Sequence, residues 1–118
     1  MTYQERLDKS VYYSQKWAQN IPGGMQHFFG FIQDGFVNAA PLEPKTLQLI
    51  IVAAGVARSN EDAILQHVNM FIDAGGSREE LLSGLNAVIM AGGGLAWASA
   101  GFALDVFDEL SAAKAEKK

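Results

Sequence analysis

The segment Lys45–Gly76, KTLQLIIVAAGVARSNEDAILQHVNMFIDAGG, leaves the chain the fewest ways to fold. Leu47, Ile50, Ile51 and Ala54 recur at helical spacing, and Gln48 is the one polar residue between Thr46 and Arg58. Both faces are mostly apolar, which suits a helix at the centre of a bundle. The polar break Arg58-Ser59-Asn60 interrupts it. Asn60 is a good N-cap, and Glu61 and Asp62 complement the positive end of the helix that follows. Ile64, Val68, Phe71 and Ile72 make the next apolar stripe, with Ala63, His67, Met70 and Ala74 on its flank. Gly75-Gly76 stops it. The segment is therefore a central antiparallel helix hairpin with one histidine, His67. An unpaired buried amide costs about 1–3 kcal/mol, so Gln48 needs a partner.

The flanking sequence is helical too. Thr2 and Glu5 have capping-box spacing, and Tyr3, Leu7, Val11, Ser14 and Trp17 follow as a stripe of helical period. Asn20–Gly24, with Pro22 and two glycines, reads as a turn. A second helix spans about Met25 to Asn38, with Met25, Phe28, Phe29, Ile32 and Phe36 as an aromatic core face and His27 and Asp34 opposite. Pro41 and Pro44 bracket a linker. Ser77 and Glu80 form another capping box, opening a helix from Arg78 to about Ala91. Gly92-Gly93-Gly94 breaks it. A further helix from Leu95 to about Ala113 carries Ala96, Ala100, Ala103 and Phe107 on one side, small enough for close helix packing. No stretch has convincing strand period, so the fold class is all-α, with about six helices. At 118 residues the chain reads as one domain, 1–118, with N-terminal helices over 1–40 and a frayed tail at 114–118.

Composition removes several functions. The chain has no cysteine, which excludes disulfides, thiolate metal sites and thiol redox chemistry. Net charge is −4, and three of the nine basic residues are Lys114, Lys117 and Lys118, so no basic stripe is left for nucleic acid. Two histidines without H-E-x-x-H argue against a metal site, and no cofactor is expected. Leu81–Leu104 carries no charge, yet three glycines interrupt it. It reads as two buried helices around a break rather than as a membrane span. The charged, amphipathic start lacks a signal-peptide core, so the expectation is a cytoplasmic protein. Gly92–Gly94 lacks the downstream Lys-Ser/Thr of a phosphate loop, and no base accompanies Ser59 or Ser99 in the sequence.

Several pieces occur together in order: Lys45-Thr46, Leu49-Ile50, Gly55-Val56-Ala57, Glu61-Asp62, Ile64, His67-Val68, Gly76 to Leu81, and Met90 with Gly92 to Gly94. This arrangement, mainly over 45–109, resembles the carboxymuconolactone decarboxylase family, which includes the alkyl hydroperoxidase D-like proteins. The resemblance implies an all-α subunit in homo-oligomers, trimers or hexamers, with sites near subunit contacts. In the hydroperoxidase branch a Glu precedes C-x-x-C-x-x-x-H. Those positions fall on Gln48, Asn60, Ala63 and His67, and only His67 matches. Without nucleophilic thiol, resolving thiol or carboxylate relay, the peroxide chemistry has no means to run.

Two readings follow. In one, the chain is a non-redox oligomer that binds a small molecule or serves a structural role, with His67 hydrogen-bonded to Gln48 or to a neighbouring subunit. In the other it is a non-redox lyase or isomerase of the decarboxylase or lactone kind, acting on a small carboxylate or lactone. His67 would then be the acid/base and Arg58 the carboxylate clamp. The enzyme reading expects His67, Arg58 and Gln48 in one enclosed pocket. The structural reading expects that space filled, with Trp97, Phe102 and Met70 as candidates.

Overall fold

The structure, a computed structural model, describes residues 1–38 and 41–117. It contains α1 (Tyr3–Ala18), α2 (Pro22–Phe31) running into a π-helical turn (Ile32–Val37), α3 (Pro44–Ala57), α4 (Glu61–Asp73) and α5 (Arg78–Glu116). No strand occurs among the described residues.

The local signals at the helix starts act as their chemistry requires. Thr2 and Glu5 form a reciprocal capping box on α1, and Ser77 and Glu80 do the same on α5. Asn60 caps α4 through its side chain. The α3–α4 hairpin supplies Val52, Val56, Ile64, Leu65, Val68 and Phe71 to the core, all essentially without solvent exposure. Burying a side chain of this size stabilises by roughly 1.5–3 kcal/mol, so this hairpin anchors the fold. Gly75, at φ 91, turns the chain out of α4. A methyl group on Gly76 would lie 2.3 Å from the Phe71 ring, so only glycine fits there.

α5 departs from the expected pair of helices. Its hydrogen bonding runs from Arg78 to Glu116, so the described residues form five α-helices rather than about six. Only Gly93 leaves helical geometry, at φ 66 and ψ −150. That is enough to reverse the direction. Arg78 and Asp108, equidistant in sequence from Gly93, meet through two hydrogen bonds of 2.8 and 3.2 Å. α5 is thus a first arm and a second arm folded back on each other. The helix continues through the segment expected to fray. Lys114 Nζ lies 2.6 Å from Asp73, and a cation there also suits the helix C-terminus. Lys118 lies outside the described residues.

α1 is docked only by its first half. The Tyr3 hydroxyl donates to Asp105 at 2.6 Å, and Arg6 donates to Glu61 at 2.8 Å. Buried Ser10 accepts from Gln66. Beyond it Val11 and Trp17 face solvent, so the expected apolar stripe is half used.

α2 overturns two expectations. Pro22, Gly23 and Gly24 are its first turn, not a loop: proline is preset for the first helical position, where its missing N–H costs nothing. The aromatic face is not core. No residue of α2 is buried, and Phe28, Phe29 and Phe31 are all more than half exposed. The arms of α5 are likewise less buried than their sequence suggests, with Met90, Leu95 and Trp97 exposed. Helical period identifies an apolar stripe but not the body that covers it.

Candidate functional site

α3 and α4 run antiparallel, and that arrangement brings Gln48 and His67 to the same level. Gln48 Oε1 lies 2.7 Å from His67 Nδ1. With the amide oxygen facing the ring, Nδ1 carries the proton and donates it, which leaves the lone pair on Nε2. His67 is half-buried, and the loss of solvent lowers its pKa below the ordinary 6.5. At neutral pH the ring is therefore an uncharged imidazole with one defined tautomer.

Gln48 also faces a cavity of about 330 Å³, lined otherwise by Phe36, Val37, Leu42, Pro44 and Leu47. The lining comes from three places: the π-helical turn, the linker and the first turns of α3. Among the described residues, Gln48 is the only one with a polar side chain in this wall. Its carboxamide N–H groups make no hydrogen bond within the described residues. Phe36, Val37, Leu42 and Leu47 were not singled out as site residues from the sequence. The available signal was Leu42, an apolar residue set between two prolines.

The other candidate positions do not join this pair. Arg58 is exposed at the C-terminal end of α3, about 15 Å along the helix axis from Gln48. The expected grouping of His67, Arg58 and Gln48 in one pocket is not what the fold makes: ten residues of helix separate the cation from the amide. The Asn60 side chain accepts from the Ala63 N–H at 3.1 Å and is used as a helix cap. Ala63 places a half-buried methyl group one turn before His67. Glu61 is held by Arg6.

The residues expected to fill the space around His67 do something else. Trp97 is exposed, Met70 is partly so, and Phe102 packs edge-on against Tyr3 with Arg6 over its ring. Ser99 donates to Ser59 at 3.0 Å, linking α5 to a residue at φ 53 in the hairpin break. His27 sits exposed on α2. No group of three metal-ligating side chains occurs among the described residues.

A model of the carboxymuconolactone decarboxylase family matches residues 22–105. Among solved structures, the chain is similar to a carboxymuconolactone decarboxylase family protein from Legionella pneumophila, crystallised in its apo form. The identity is 28%, the TM-score 0.85, and the match covers 92% of this chain and 96% of that one. No curated protein matches.

Proposed function

The chain belongs to the carboxymuconolactone decarboxylase family, and from that footing we propose that it is a homo-oligomeric, non-redox binding protein for a small uncharged carbonyl compound. One observation carries the reading: Gln48, paired with a neutral His67, is the polar group in an otherwise apolar cavity. An amide N–H satisfies a carbonyl oxygen, and the apolar wall takes up the carbon skeleton. A free carboxylate fits less well. It would enter without a free cation to meet it: Lys45, at the near end of α3, is paired with Glu80, and Arg58 stands at the far end. Of the two ligand classes that the sequence suggests, the lactone is favoured over the open-chain acid.

A thiol peroxidase function is set aside on the chemistry of the side chains. Asn60 is a helix cap and Ala63 a methyl group, where the hydroperoxidase motif has cysteines. A second reading, catalysis of proton transfer beside the carbonyl, is supported by the Nε2 lone pair on His67. A histidine whose tautomer is set through its other nitrogen is a competent general base.

The test is thermal stabilisation by a series of lactones and their ring-opened hydroxy acids. Binding stabilises the native state by mass action, by about 2.7 kcal/mol at a free ligand concentration a hundredfold over Kd, and so raises the melting temperature. Lactones should stabilise the wild type and not Gln48→Ala. Stabilisation by the acids alone, or an equal response in the variant, would sink the reading. Solvent deuterium entering the carbon next to the lactone carbonyl, lost in His67→Gln, would move the assignment to the enzyme. Hydroperoxide turnover with a dihydrolipoyl donor should be absent.

A further inference from the structure

The end of α3 that lines the Gln48 cavity carries a cation that the cavity does not use. Residues 32–48 supply the whole lining, and they include one basic residue, Lys45, and two acidic ones, Asp34 and Glu43. Lys45 lies in the first turn of α3, directly after Pro44 and three residues before Gln48. Residues three apart on a helix are neighbours on its surface, and helical side chains lean back toward the N-terminus. The Gln48 amide therefore leans toward the turn that carries Lys45.

Lys45 is turned to another partner. Its Nζ lies 3.0 Å from Glu80 Oε2, in the first turn of α5. Glu80 is not a loose surface carboxylate. Its other oxygen accepts from the Ser77 N–H at 2.9 Å, and its own backbone N–H donates to Ser77 Oγ at 3.1 Å. The Ser77 N–H and then the Lys45 ammonium hold its pKa below the ordinary carboxylate range, so it is charged at neutral pH. One turn further along both helices, Leu49 packs over Gly84, where a methyl group would lie 2.8 Å from Leu49 Cδ1. This close approach of α3 to the first arm of α5 fixes the register in which Lys45 meets Glu80.

Both members of the pair are partly exposed, and ion pairs of this kind add little to stability. The consequence lies in the charge. Glu43, Lys45 and Glu80 together leave an excess of one negative charge at this end of α3. We propose that Glu80 sets the ligand specificity of the Gln48 cavity, by sequestering Lys45 and so excluding carboxylates. This rests on the reading of that cavity as a binding site for a small uncharged carbonyl compound. Glu80 acts through Lys45 and touches no ligand itself. An acid seated on the Gln48 amide would require the ammonium as its counter-ion. To recruit it, the acid would have to displace a carboxylate already held in place by its own helix cap. An intramolecular competitor of this kind prevails over a dissolved one. A lactone asks nothing of Lys45 and is not excluded.

Glu80→Gln tests the proposal, because glutamine at this position can still close the capping box while carrying no charge. The probes are γ-octalactone and the hydroxy acid formed by opening its ring, with Kd measured by calorimetry and folding checked by circular dichroism. The variant should bind the acid roughly tenfold to a hundredfold more tightly than the wild type does, the worth of one hydrogen bond to a charged group. The gain should shrink with added salt and vanish when Glu80→Gln is combined with Lys45→Met. The lactone Kd should be the same in the wild type and in Glu80→Gln. An acid Kd unchanged by Glu80→Gln, a gain that survives in the double variant, or an equal gain for the lactone would each overturn the proposal. The cavity assignment and the charge filter fail separately. Lactone binding without a gain of acid binding keeps the assignment and removes the filter. A gain of acid binding without lactone binding keeps the filter and removes the lactone. No binding of either probe by either protein removes both.

Discussion

The α3–α4 hairpin and α2 are both apolar helical stretches, and they have opposite fates. In the hairpin the apolar side chains meet others of the same chain, and six of them are sealed from solvent. In α2 not one residue is buried, although its aromatic content is higher. The difference lies in the company each helix keeps. α3 packs extensively against both α4 and α5, whereas α2 lies against little more than α1 and the π-helical turn that follows it. Hydrophobicity states how much a helix gains from being covered, and the topology decides what does the covering.

The sharpest way to break this contrast is to remove one aromatic from each region. Phe71 is buried against Phe107, with ring centroids 6.3 Å apart. Phe71→Ala should destabilise the folded subunit by about 3–5 kcal/mol in chemical denaturation. Phe28→Ala, in the same measurement at high dilution, should cost under about 0.5 kcal/mol. Similar losses for the two would mean that α2 is part of the subunit core after all.

A smaller effect is expected where the hairpin turns. Asn60→Ala removes the cap from the Ala63 N–H and should cost about 1 kcal/mol of stability. Asn60→Ser should recover most of it, since a hydroxyl can accept the same bond. If alanine proves neutral, the residue has some other use.

The smallest effect is in the pH dependence. Burial lowers the His67 pKa below 6.5, so the unfolded chain binds the proton more readily. His67 therefore favours folding in full above about pH 6.5, and this contribution is lost as pH falls through the lower folded pKa. The melting temperature of the wild type should drop between about pH 7.5 and pH 5 more than that of His67→Gln. Parallel curves would place His67 in contact with water.

Legibility in the sequence followed the range of the interaction. Thr2, Asn60 and Ser77 were readable because a cap is settled within three residues of itself. The Gln48–His67 pair was half readable: an amide inside an apolar helix must have a partner, and the antiparallel hairpin offers few. The reversal at Gly93 was not readable. Three consecutive glycines announce a break, but whether the chain bends, stops or turns back depends on where the second arm finds apolar surface. Nor was the cavity wall, because Leu42 and Phe36 reach it through the linker and a π-helical turn that no periodicity announces.

The hydrogen bond between Gln48 and His67 has one more consequence. A carboxylate at position 48 would complete a proton wire, able to accept what the ring gives up and release it again. A carboxamide holds the Nδ1 proton in place and has no ionisable state in which to receive it. The imidazole is a terminus instead of a junction, and any proton it exchanges must enter and leave through the same nitrogen. Two thiols placed at Asn60 and Ala63 would supply sulfur and still leave the wire open at Gln48. The chain thus departs from the hydroperoxidase motif at two independent places, the thiol positions and the relay position.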